Sequence, residues 1–156
     1  MVRKRDRKVC FAASSGGHFE QIMMLKPLME QYNGFIVTEK TGYEIETKFP
    51  VYKVSQINRK EKIFPLKMVY EVLVSLYIFI KERPDTIVTT GALAMVPLCL
   101  ICKVFRRKLI YIESFAKVST PTETGKLMYH FADRFYVQWK SMLAVYPNAS
   151  YVGGIY

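Results

Sequence analysis

Short apolar runs alternate along the chain with segments of helical periodicity, and that alternation leaves few folds open. Val9 to Ser14, Phe35 to Thr38, Val51 to Val54, Ile87 to Thr90, Leu109 to Ile112 and Phe135 to Val137 read as strands, with Tyr151-Val152 as a short seventh. Between them, His18 to Tyr32 carries Ile22, Leu25, Met29 and Tyr32 at three- and four-residue intervals, the signature of one helix. Pro65 to Lys81, Ala92 to Phe105, Thr122 to Ala132 and Lys140 to Val145 read as further helices, and Tyr43 to Lys48 as a single helical turn. Strands this short and this apolar, each followed by a helix, belong in a parallel sheet covered on both faces. The expected fold class is therefore α/β: a Rossmann-like parallel sheet with helices on both faces and ligands above the C-terminal strand ends.

At 156 residues and 51% hydrophobic content the chain suits one domain with one core. The expected division is a basic segment over residues 1–8 and a layered domain over 9–156. Lys and Arg outnumber Asp and Glu by 23 to 13, and Arg3, Lys4, Arg5, Arg7 and Lys8 crowd the first eight positions. Such a charge favours an anionic partner, or serves as a solvated tail that aids solubility. Nucleic acid is not the expected partner: there is no helix-turn-helix, RNP or zinc signature, and the aromatics fall in apolar elements rather than among the basic residues.

Cys10, Cys99 and Cys102 are odd in number and lie in apolar surroundings, which fits reduced, packed thiols better than a disulfide framework or a metal pair. Asn148-Ala-Ser150 is a formal glycosylation sequon, but no apolar export segment follows the N-terminal charges. The uncharged run from Thr86 to Cys102 is interrupted by Thr89-Thr90-Gly91 and Pro97, so it parses as strand, turn and helix rather than a membrane span.

Two helices are more apolar than a two-sided sandwich needs. In Pro65 to Ile80, Lys67, Glu71 and Ser75 form one narrow polar stripe at i, i+4 and i+8, and almost everything else is apolar. One face can dock on the sheet and the remainder needs another cover. Ala92 to Cys102 is similarly apolar and runs into Lys103, Arg106, Arg107 and Lys108, a cluster suited to an anionic membrane surface. A membrane or a protein partner would serve as the cover; so would burial of both helices within the domain itself.

The run Ala13-Ser14-Ser15-Gly16-Gly17-His18 reads as a strand-to-helix turn. Two glycines let the chain bend and let an anion approach the main chain, and the following helix offers its partially positive end. Phosphate is the natural guest, although the pattern is not the dinucleotide fingerprint G-x-G-x-x-G.

Four motifs in order resemble a known family: Ser14-Ser15-Gly16-Gly17-His18, the turn Thr89-Thr90-Gly91 opening an apolar helix, Ile112-Glu113-Ser114, and the tail Tyr146-Pro147-Asn148-Ala149-Ser150-Tyr151-Val152-Gly153-Gly154. Together they look like the Alg14 family over nearly the whole chain, and more closely like its bacterial members from capsular and exopolysaccharide gene clusters. The resemblance implies the N-terminal, acceptor-side half of a GT-B glycosyltransferase. In that family an Alg13-like polypeptide supplies the sugar-nucleotide half, and the pair glycosylates a polyprenyl-diphosphate-linked saccharide acceptor at the cytoplasmic membrane face. Neither cofactor nor metal is expected, by analogy with metal-independent GT-B enzymes, and no Asp-x-Asp motif is present.

On that reading Ser14, Ser15, Gly16, Gly17, Thr90, Gly91 and Ser114 are expected at the acceptor and diphosphate site. His18 is a candidate base for the attacking hydroxyl, since imidazole exchanges protons near neutral pH, or else a phosphate donor or helix cap. Glu113 is a candidate for binding acceptor hydroxyls or orienting His18, or else a capping or ion-paired carboxylate. Val152, Gly153, Gly154, Ile155 and Tyr156 are expected to meet the donor subunit. His130 reads as structural, and Trp139 as core rather than as a partner contact. Two other readings stay open: a nucleotide-dependent oxidoreductase with Glu39 as its ribose-binding acid, and a non-catalytic activator or scaffold of a transferase.

Overall fold

The computed structural model describes residues 6–42 and 44–156. Arg3, Lys4 and Arg5 of the basic segment, and Tyr43, fall outside them. Seven strands form a single all-parallel sheet in the order β3-β2-β1-β4-β5-β6-β7. They are β1 (Lys8–Ala13), β2 (Asn33–Glu39), β3 (Val51–Val54), β4 (Thr86–Gly91), β5 (Lys108–Ile112), β6 (Arg134–Val137) and β7 (Ser150–Tyr151). The expected Rossmann-like α/β class is what the chain adopts. Strand order reverses between β1 and β4, so the crevice above their C-terminal ends is where such a sheet takes a ligand.

The helices are α1 (Gly17–Met23), α2 (Lys26–Met29), α3 (Phe64–Glu82), α4 (Val96–Val104) and α5 (Glu123–Tyr129). The single helix expected over His18 to Tyr32 is instead two, because Pro27 sits in the first turn of α2 and has no N–H to continue the α1 ladder. Two expected helices shrink for similar local reasons. Ala92 to Phe105 opens as a 3-10 turn at Leu93–Met95 before Pro97 starts α4, and Lys140–Ala144 is 3-10 throughout. No helical turn forms among residues 44–48.

Side chains alternate across the sheet into two apolar layers. Cys10, Phe35, Val37, Ile87, Leu109, Tyr111 and Phe135 face α3, α4 and α5, while Phe11, Ile36, Val88 and Ile112 face α1 and α2. The three cysteines are buried in the first layer, and burial pushes the Cys102 thiol up to about 12; they are packing groups. Cover of the second face is partial. Past α1 and α2 the sheet lies open as an apolar groove of about 420 Å³ between Met24 and Leu28 on one side and Val152 to Ile155 on the other, floored by Val88, Ile110 and Ile112.

The two apolar helices take opposite courses. α4 is central, with Val96, Pro97, Leu98, Cys99 and Cys102 all buried. α3 is turned inside out: Glu71 and Ser75 of its polar stripe face the sheet with 0% and 1% exposure, while Leu66, Val69, Leu73 and Ile80 face away from it. Glu71 accepts a hydrogen bond from the Ser55 N–H at 3.1 Å, but its other oxygen and the Ser75 hydroxyl have no partner among the described residues. Burial raises the Glu71 pKa, the Ser55 N–H pulls it back, and the charge of Glu39 adds to the rise. A carboxyl whose folded pKa is raised opposes folding above its unfolded pKa, and that cost vanishes as acid protonates it. Glu71→Gln keeps the acceptor for Ser55 and removes the buried charge. It is expected to raise Tm by about 2–4 °C at neutral pH, with the gain shrinking as the pH falls through the raised folded pKa and gone below about pH 4, as thermal unfolding across pH would read.

Candidate functional site

The crevice above β1 and β4 is built first by backbone. The Ser14 N–H donates to the Gly91 carbonyl at 2.8 Å, closing the gap where the two strand ends part. Gly16 at φ 75° turns the chain into α1, whose first N–H groups no side chain among the described residues caps. Two donors of this turn are already used: the Glu39 carboxylate accepts from the Ser15 N–H at 3.1 Å and from the Ser15 hydroxyl at 2.8 Å. What remains for an anion is the exposed main chain of Gly16 and Gly17 and the start of α1. Glu39, the acid a ribose-binding reading requires, is spent on holding the turn.

His18 is clamped by Thr90. Its Nδ1 lies 2.7 Å from the Thr90 carbonyl, and the Thr90 hydroxyl donates to the His18 carbonyl at 2.8 Å. A carbonyl only accepts, so Nδ1 carries a proton, and in the neutral ring the lone pair is on Nε2. Gly91, at φ 95°, lies beside the ring. A Cβ there would sit 3.7 Å from His18 Cε1 and 3.2 Å from the Tyr111 hydroxyl. Only glycine leaves that space open in that backbone conformation.

Glu113 stands at the end of β5 but reaches neither solvent nor His18. It is fully buried and accepts from four donors: the Ser114 N–H at 2.9 Å, the Thr122 hydroxyl at 2.9 Å, the Thr122 N–H at 3.3 Å and the Tyr146 hydroxyl at 2.8 Å. Thr122 is also the N-cap of α5, accepting from the Gly125 N–H at 2.8 Å. Burial first, then the bond to Glu113, holds the Tyr146 phenol well above its ordinary pKa, so it remains a donor. The Tyr111 hydroxyl lies 3.4 Å from Thr122 Oγ1, which places Tyr111 between the carboxylate and the Gly91 gap. Direct contact of Glu113 with an acceptor hydroxyl is thus replaced by a buried anchoring role.

The other expected residues divide by exposure. Gly16 and Gly17 are exposed and Ser15 and His18 half-buried at the C-terminal strand ends, whereas Ser14, Thr90, Gly91 and Ser114 are buried beneath them. Lys103, Arg106, Arg107 and Lys108 gather at the opposite end of the sheet, about one strand length or 17 Å away. There Lys103 pairs with Asp133 at 2.7 Å and Arg107 with Asp85 at 3.5 Å, leaving Arg106 and Lys108 the more open. In the C-terminal segment, Gly153 and Ile155 are half-buried, Val152, Gly154 and Tyr156 are exposed, and the Tyr156 ring packs edge-on to Phe115. His130 is exposed, on no interior face. The Trp139 indole donates to the Phe115 carbonyl at 2.6 Å and packs tilted against its ring.

Sequence reasoning missed a buried amide pair. Gln21 Oε1 accepts from the Phe115 N–H at 3.0 Å and from Gln138 Nε2 at 2.7 Å, Gln138 Nε2 also reaches the Glu113 carbonyl, and Gln138 Oε1 accepts from the Ile155 N–H at 2.9 Å. These bonds tie α1 to the ends of β5 and β6 and to the C-terminal segment. A polar residue on the inner face of α1 was the available signal for Gln21; Gln138, Tyr146 and Gly125 gave none that spacing could reveal.

A model of the family described as "Oligosaccharide biosynthesis protein Alg14 like" matches residues 38–155. The chain belongs to the Alg14 family. Among relatives, the mouse UDP-N-acetylglucosamine transferase subunit ALG14 is 26% identical, with 97% of this chain and 84% of that protein covered. The Yarrowia lipolytica subunit is 28% identical over 94% of this chain and 80% of its own. Among solved structures, Acinetobacter baumannii MurG superposes with a TM-score of 0.69 at 15% identity, covering 84% of this chain. UDP-N-acetylglucosamine 2-epimerase from Rickettsia bellii gives 0.72 at 11%, covering 96%. This Alg14-family chain spans only 41% and 45% of those two structures, so it has the fold of one half of each.

The Glu113 cage sets a stability test. A methyl on Gly125 would lie 2.0 Å from Glu113 Oε2 and 2.7 Å from both Thr122 Oγ1 and the Tyr146 hydroxyl. Gly125→Ala is expected to cost about 3 kcal/mol or more, and Tyr146→Phe, which removes one donor, about 1–3 kcal/mol. Urea unfolding of the two variants checks the order.

Proposed function

We propose that this chain is the acceptor-side subunit of a two-component glycosyltransferase, completed by an Alg13-like donor-binding subunit. The observation that carries this reading is the turn at the C-terminal strand ends: Gly16 and Gly17 are exposed beside the His18 ring that Thr90 holds, in a chain with the fold of one half of the larger MurG structure. The main-chain donors of Gly16 and Gly17 take a diphosphate, and the acceptor is a polyprenyl-diphosphate-linked saccharide. Relatives are named as subunits of a UDP-N-acetylglucosamine transferase, which makes a UDP-activated hexosamine the first donor to try.

In the reaction, an acceptor sugar hydroxyl attacks the anomeric carbon of the donor. The new glycosidic C–O bond forms as the bond to the β-phosphate oxygen breaks, and UDP leaves with that electron pair. His18 Nε2 takes the hydroxyl proton, and Thr90 holds the ring in the tautomer that can do so. Glu113 acts at one remove. Its carboxylate fixes Thr122 and the Ser114 turn, so it is a positioning residue. The groove walled by Val152 to Ile155 receives an apolar segment of the donor subunit, and Gln138 braces that wall through the Ile155 N–H. By resemblance, the product enters a capsular or exopolysaccharide pathway at the cytoplasmic membrane face, with the chain bound peripherally and with no nucleic acid partner.

His18→Ala in the co-purified pair is expected to lower kcat by about 10²–10⁴-fold while the subunits still elute together. The assay supplies a UDP-sugar and a prenyl-diphosphate saccharide. Full turnover by His18→Ala with intact assembly would instead leave the scaffold reading, in which this chain only recruits and activates its partner.

A further inference from the structure

A helix that buries a glutamate and a serine and exposes its leucines has a rotation that the sheet alone does not dictate. Along the outer face of α3, Leu66, Val69, Tyr70, Leu73, Tyr77 and Ile80 recur at i, i+3, i+4, i+7, i+11 and i+14, each 57–72% exposed. The stripe runs the length of a 19-residue helix, about 28 Å. At its far end it meets Val104 and Phe105, the latter stacked on Phe79 at 4.7 Å between ring centroids. From there it continues into the cationic corner of Arg106. We infer that this face is a lipid-docking surface, and that α3 lies along a bilayer with its apolar stripe in the acyl boundary.

Charge distribution selects a bilayer over a protein as the occupant. Exposed cations stand at both ends of the stripe: Arg59, Lys60 and Lys62 before α3, and Lys81, Arg83 and Arg106 at its close. The acids beside them are engaged, Glu61 with Lys67 and Glu82 with Lys8. A cation at each end of an apolar stripe, with tyrosines on the stripe, matches an anionic headgroup layer over hydrocarbon. No helix of the described residues is long and apolar enough to cross a membrane. The α3 N-terminus follows β3 and so lies at the edge of the sheet that carries the Gly16-Gly17 turn. Docking through α3 therefore brings that edge toward the headgroups, where a lipid-borne diphosphate would be met. The inference builds on the membrane setting proposed above, but its test needs no turnover: activity of the pair and vesicle binding of this chain fail or succeed separately.

The full chain is to be floated with phosphatidylcholine vesicles, with and without about one third phosphatidylglycerol. Binding to the anionic vesicles is expected, and Leu66→Glu with Leu73→Glu should weaken it about tenfold or more with Tm unchanged, since both positions are exposed. An environment-sensitive fluorophore attached through Leu73→Cys, the three native cysteines being buried, should shift to the blue on binding. Failure of the wild-type chain to bind anionic vesicles would overturn the inference. So would equal binding by the double variant, or a wild-type dimer that the double variant dissociates without any change in vesicle binding.

Discussion

A single carboxylate organises the working end of this fold. Glu113 ends a central strand at zero exposure, where an unmatched charge would cost several kcal/mol. It is tolerated because four donors converge on it from three segments: its own turn, the Thr122 start of α5, and Tyr146 near the C-terminus. Each donor in turn fixes something else. Thr122 caps α5, Gly125 must lack a side chain for the cage to close, and the Glu113 carbonyl receives Gln138, which holds both Gln21 on α1 and the Ile155 N–H. The crevice residues are thus set by a polar network beneath them, more than by their own contacts.

Two surfaces of the domain are left unfinished by its own packing. One is the face of the sheet past α1 and α2, where Val88, Ile110 and Ile112 floor an open groove. The other is the outside of α3, where the apolar stripe points outward and Glu71 is turned in at a cost its orphaned oxygen makes plain. The chain spans 41% and 45% of the two solved structures it superposes on. On the proposed reading, the groove awaits the second subunit and the stripe awaits the bilayer.

The architecture was legible because it depends on local patterning. Apolar runs of two to six residues between helical segments dictated the parallel sheet, and every strand forms within a residue or two of its expected place. Helix breaks were legible in principle: Pro27 and Pro97 stand where α2 and α4 begin, but apolar periodicity across them masked the interruptions. The crevice was half legible. Gly16, Gly17 and His18 announce a turn because glycine and helix starts carry their own chemistry. The place of Glu113 was hidden, since its partners Thr122 and Tyr146 lie 9 and 33 residues away and only the folded chain brings them together. The inside-out rotation of α3 was hidden for a related reason, as a polar stripe shows amphipathicity but not which side meets the sheet.

Amide chemical shifts recorded while the chain is titrated with a soluble short-chain prenyl diphosphate test the account most directly. Saturable shifts centred on Gly16, Gly17 and His18, with the Thr90 amide following, are what a diphosphate seated on the first turn predicts. Shifts confined to the Lys103 to Lys108 corner, or none at the first turn at saturating ligand, would contradict it.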